Sequence, residues 1–154
     1  MRTVTITISK QEQLRRFAQA TWKQGPMLEQ PQSVKQVYNL QADQEETADV
    51  GLMQASFERH LWEGIDIMRE YLADLPHYEA KPDDDNFTIT LQLPQNWVIH
   101  SAPGLKYALL DLIHNGMMAD WYDDVKQDSA NAFKKKADLN KAQIQSTLYA
   151  LNAP

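Results

Sequence analysis

From Thr3 to Ser9 the chain alternates, with Val4, Ile6 and Ile8 on one side and Thr3, Thr5 and Thr7 on the other. β-Branched residues at a period of two predict a half-buried strand. Phe87-Thr88-Ile89-Thr90-Leu91-Gln92-Leu93 repeats the pattern and is closed by Pro94, so the two runs are expected to pair as one small sheet. Elsewhere the apolar spacing lengthens to three and four residues. Ser9 and Glu12 have the separation of a capping box, and Leu14, Phe17, Ala18 and Trp22 follow at helical intervals until Gly25-Pro26. The longest stripe is Val50, Met53, Phe57, Leu61, Ile65, Met68 and Leu72, stopped at Leu75-Pro76. Gly64, inside that stripe, would let another element approach closely. A third stripe (Leu105, Ala108, Leu109, Leu112, Ile113, Gly116, Met117) opens behind Ser101-Ala102-Pro103, with Ser101 placed to cap it, and closes at Trp121-Tyr122. The fourth is capped by Asp128 or Ser129 and carries Phe133, Ala137, Ile144, Leu148 and Leu151. The expected fold is mostly α with a small β element: a four-helix domain with a two-stranded β-sheet. Residues 26–42 read as an extended arm or loop, and 76–86 as an acidic connector.

Composition narrows what such a fold is for. The 154 residues (17.7 kDa) supply one core, so residues 1–154 are read as a single domain. There is no cysteine, which excludes disulfide frameworks, thiolate zinc sites and cysteine nucleophiles. The net charge of −6 argues against a generic nucleic-acid binder. Its distribution says more than its sum. Residues 1–42 hold six Lys/Arg against two acids, a net +4; residues 43–86 hold thirteen acids against three bases, a net −10; the remainder balances. Two readings fit: complementarity within one chain, or a surface with ends of opposite sign suited to contact between copies.

No constellation for catalysis stands out. His60, His77, His100 and His114 include no pair at the i, i+4 spacing of a helical metal site. Asp83-Asp84-Asp85 lacks the glycine and distal glutamate of a calcium loop, the serines include no nucleophile elbow, and the five glycines are isolated. Lys134-Lys135-Lys136 splays around a helix and reads as a solvated face. No enzymatic activity, cofactor or metal is expected; the weakest alternative is a carboxylate site of Glu63, Asp66, Glu70 and Asp83–Asp85. The tryptophans, Trp22, Trp62, Trp97 and Trp121, fall one per block, as core anchors do. Met117, Met118, Trp121 and Tyr122 cluster at one helix end and are the first choice for an interface patch, with core as the competing reading. Val34, Val37 and Tyr38 are the docking side chains of the arm. Neither a signal peptide nor a membrane span is legible, so no membrane partner is expected and the place of action is the cytoplasm or something assembled there.

One resemblance adds to this. A strand, Pro94, Asn96-Trp97, a helix beginning near Pro103, Ala119-Asp120-Trp121-Tyr122, then a last helix with alanines at 130, 132, 137 and 142, Leu148-Tyr149 and Pro154 together resemble the head–tail connector or adaptor proteins of tailed-phage necks, in particular those of phages infecting gut Bacteroidetes. The resemblance covers Phe87 to Pro154. It implies a virion structural protein, assembled in the host cytoplasm, that forms an oligomeric ring with itself between portal and tail. Its partners would be portal, tail or other neck proteins, and DNA would pass only as non-specific cargo. The alternative is a small cytoplasmic protein-binding or regulatory module of phage or bacterium.

Overall fold

A computed structural model describes residues 1–24, 48–78, 86–123 and 125–151. The chain opens with strand β1 (Arg2–Ser9), which runs directly into helix α1 (Lys10–Gln24). Ser9 Oγ accepts the Glu12 backbone N–H at 3.3 Å, which seals the first turn as the capping pattern predicts. Helix α2 (Ala48–Ile67) passes into a single 3₁₀ turn at Arg69–Tyr71, and a two-residue strand β2 (His77–Tyr78) follows. Strand β3 (Asn86–Leu93) leads through a second 3₁₀ turn, Ile99–Ser101, to helices α3 (Ala102–Tyr122) and α4 (Gln127–Leu148).

The fold is thus mostly α with a small β element. β1 and β3 pair antiparallel without a bulge, from Arg2↔Leu93 to Ser9↔Asn86, within one chain. The third strand is an addition to the expected pair: β2 lies on the far side of β3, giving the order β1-β3-β2. It draws part of the expected connector onto the sheet, His77 opposite Thr88 and Tyr78 opposite Phe87. Val4, Ile6, Ile8, Phe87, Ile89, Leu91 and Leu93 are all buried on the helix-covered face, while Thr3, Thr5 and Thr7 are exposed on the other. Alternation at period two requires this once one face meets a helical layer. The same core takes in Phe17 of α1, Met53, Phe57 and Leu61 of α2, Leu109 and Leu112 of α3, and Ile144 and Leu148 of α4.

Several expectations are corrected. The stripe to Leu72 does not belong to one helix: α2 ends at Ile67, and Leu72 instead bridges to Leu91 of the sheet. Ser101 does not cap α3 with its side chain, because it is already the last residue of the 3₁₀ turn that feeds the helix. Neither Asp128 nor Ser129 caps α4, which starts earlier, at Gln127. The Val125 and Lys126 N–H groups both donate to the Tyr122 carbonyl, at 2.9 and 2.8 Å, and this tight turn fixes the boundary. Leu151 lies beyond α4 and bridges to Trp97. Of the tryptophans, Trp97 and Trp121 are core, whereas Trp22 and Trp62 are 50% and 45% exposed. Trp62 lays its ring edge-on against Phe87, 5.8 Å between centroids.

Glycines set how closely α2 and α3 cross. A Cβ at Gly64 would lie 2.2 Å from Leu109 Cδ1, so the close approach expected there is present, and a Cβ at Gly116 would lie 2.4 Å from the His60 ring. The two sites differ in what has to yield. The Leu109 methyl is the end of a buried side chain that can turn at a cost of about 1 kcal/mol, which the roughly 1 kcal/mol of helix propensity gained by alanine offsets, so Gly64→Ala is expected to be near neutral. The His60 ring is held on both sides, so Gly116→Ala is expected to cost about 1–3 kcal/mol as an overpacked site. Urea denaturation of the two variants side by side checks the order.

Candidate interaction site

Where α2 crosses α3, three polar side chains of α2 meet one carboxylate. Ser56 Oγ donates to Asp120 Oδ2 at 2.6 Å, His60 Nε2 lies 2.9 Å from the same oxygen, and Arg59 Nη2 also donates to it. On the other side of the imidazole, Glu63 Oε1 is 3.2 Å from His60 Nδ1, off the line of a hydrogen bond, so it acts through charge. Glu63 Oε2 is in turn 3.1 Å from Lys141 Nζ of α4. Burial works against the Asp120 charge, but hydrogen bonds from His60 and Ser56, with the nearby His60 and Arg59 charges, outweigh it and hold the carboxyl below its ordinary pKa.

Serine, histidine and aspartate together invite comparison with a nucleophilic triad. The wiring is different. The Ser56 hydroxyl is given to Asp120 rather than to the imidazole, and both ring nitrogens of His60 face carboxylates, so neither is positioned to take a proton from Ser56. The cluster is a polar clamp that ties α2 to α3 and α4. The i, i+4 and i, i+3 spacing of Ser56, His60 and Glu63 is legible in the sequence; Asp120, 60 residues beyond His60, is not. Of the carboxylates in the enzymatic alternative, Glu63 faces Lys141 and His60, and Asp66 is paired with Arg69. Asp83–Asp85 lie outside the described residues.

The expected interface patch is covered by the chain's own helices. Met117, Met118, Trp121 and Tyr122 are at most 4% exposed. Tyr122 stands edge-on to Trp121 (4.7 Å) and stacks on Phe133 of α4 (5.7 Å), so the aromatic helix end packs the α3–α4 turn. Met118 and Tyr122 line a groove of about 500 Å³ between α1, α3 and α4 that also includes Arg16, Ala20, His114 and Phe133. Lys136 Nζ sits over the Phe133 ring at 4.6 Å. Val34, Val37 and Tyr38, with the whole of the 26–42 arm, lie outside the described residues.

His114 lines this groove with its Nδ1 buried and without a partner among the described residues. Burial, with the Arg16 charge and more weakly that of Lys136, pushes its pKa down to about 4 against an opposing pull from Asp111. The folded state therefore keeps His114 neutral where the unfolded chain binds a proton, between pH 6.5 and about 4. Stability is expected to fall as pH drops through that window, by up to about 3 kcal/mol from this group. Chemical denaturation at pH 7 and pH 5 of the protein and of His114→Gln checks it: the variant should lose much of the difference.

Among the described residues no helix is long and apolar enough to cross a membrane, and no three His, Cys, Asp or Glu side chains group to hold a metal. In comparisons with known proteins, no family model, curated protein or solved structure matches the chain.

Proposed function

We propose that this protein is an assembly component of a tailed-phage neck, a head–tail connector or adaptor that forms a ring between portal and tail. One observation about the resembling segment, Phe87 to Pro154, supports the reading. Its described part closes on itself as a structural unit. Trp97 Nε1, just after β3, donates to the Thr147 carbonyl near the end of α4 (2.9 Å), and the Val98 N–H donates to the Ala150 carbonyl (3.0 Å). The helical hairpin is thereby joined to the sheet as one rigid block, the form a ring subunit needs. The α2–α3 clamp has the character of a brace rather than a reaction centre, which fits a part that transmits position. The basic first third and acidic middle of the sequence suit head-to-tail contact between copies.

Sedimentation of the pure protein with and without portal, and mass spectrometry of particles, test the proposal. Ring-sized species, or recruitment to portal, together with presence in virions are expected. A protein that never exceeds a one-to-one complex and is absent from particles would overturn it in favour of a regulatory module.

A further inference from the structure

The sheet order β1-β3-β2 leaves β1 as an edge, and among the described residues no strand pairs with residues 2–8 on the side away from β3. Edge strands of folded proteins are usually blunted by lysines, prolines, bulges or brevity. β1 has none of these. It is eight residues long, pairs with β3 through an unbroken register, and contains neither lysine nor proline. Its one charged side chain, Arg2, is already engaged, donating through Nε to the Gln95 carbonyl at 2.6 Å.

The molecule also shows what kind of strand fits beside β1. β3 has nearly the same alternation, and the ladder between them sets Thr5 opposite Thr90, Thr7 opposite Thr88 and Ile6 opposite Ile89. Threonines thus meet across the open face and isoleucines across the covered one. A second β1, laid antiparallel along the outer edge, reproduces these pairs: with Ile6 opposite Ile6, Thr5 meets Thr7 in both directions. Any two-fold register that keeps the faces matched has this property, because like parity always pairs with like. Thr3, Thr5 and Thr7 are exposed, so the open face on this strand is free to continue into a neighbour.

We propose that the outer edge of β1 binds β1 of a second copy of this chain about a two-fold axis, fusing two three-stranded sheets into one of six. This contact does not rest on the neck reading, whose ring contacts run head to tail.

The test uses the full chain and its lack of cysteine. Light scattering on a sizing column at high-micromolar concentration should give about twice the 17.7 kDa chain mass. The double variant Thr5→Lys, Thr7→Lys places like charges opposite one another across the new pair, and should run as a monomer with an unchanged circular dichroism spectrum. Cysteines introduced singly and in pairs at Thr3, Thr5 and Thr7 read the register, since under mild oxidation only facing positions crosslink rapidly. Ser146→Cys, exposed on α4, is the control. A monomeric parent protein, a dimer that survives the two lysines, or crosslinking no faster than the control at every β1 position would each overturn the proposal.

Discussion

Trp97→Ala is expected to be the most damaging single truncation, at about 3–5 kcal/mol. The indole is fully buried at the junction of β3 and α3, so its loss leaves a cavity that the surrounding helices fill only in part. It also removes the N–H that holds the Thr147 carbonyl at 2.9 Å, and with it a tie between the sheet and the end of α4. Trp97→Phe keeps most of the apolar volume but not that donor, and should cost about 1–2 kcal/mol. Thermal unfolding reads both: for a chain of this length the alanine variant should lie roughly 10–15 °C below the parent. A midpoint within a few degrees of the parent's would mean that the Phe87–Leu151 block is not closed by this residue.

The second large effect is expected at Asp120. Replacing it with alanine strips the shared acceptor from Ser56, Arg59 and His60 in one step, and leaves His60 packed against Gly116 with only the Glu63 charge beside it. Leaving those donors unsatisfied should cost about 2–4 kcal/mol. Asp120→Asn, which can still accept from Ser56 but carries no charge, should fall between. The pH dependence distinguishes a charged clamp from simple packing. Asp120 has a folded pKa below its unfolded value of 3.8, so its contribution is present above that pH and is lost as pH falls through the folded value. The gap between the protein and Asp120→Asn should therefore shrink as pH falls below about 4. A double-mutant cycle with Ser56→Ala, read by urea denaturation, should return a coupling of about 1–3 kcal/mol; additivity would mean that the 2.6 Å hydrogen bond carries no weight.

Both effects reach across the chain, and that marks the boundary of what the amino-acid order reveals. β1 and β3 are legible because alternation at period two records which side chains face inward, whereas their pairing with each other, and its antiparallel direction, belong to the tertiary structure, since matched faces suit either direction or a neighbour's strand. The buried side chains of α2 and α3 are legible for the same reason at the helical period, and the close approach at Gly64 follows from a missing side chain on a packed face. Helix limits are less so. α2 stops at Ile67 although the apolar spacing runs on to Leu72, because Leu72 finds its partner, Leu91, in a strand far along the chain.

The candidate site was legible in part. Met118 and Tyr122 do reach a groove, but Met117 and Trp121 face the core, and composition alone does not separate a buried aromatic cluster from an exposed one. The same ambiguity governs the tryptophans: Trp121 is buried, while Trp22, equally well spaced on α1, is half exposed. The sequence by itself determined which residues alternate, which recur at helical spacing and where charge accumulates, since all of these are properties of neighbours along the chain. Only the tertiary structure decided that His60 and Ser56 share Asp120, that the tail of α4 is tied to Trp97, and that β1 is an edge among the described strands. Those depend on which faces meet, and each face has apolar surface enough to satisfy more than one partner until the whole core is packed.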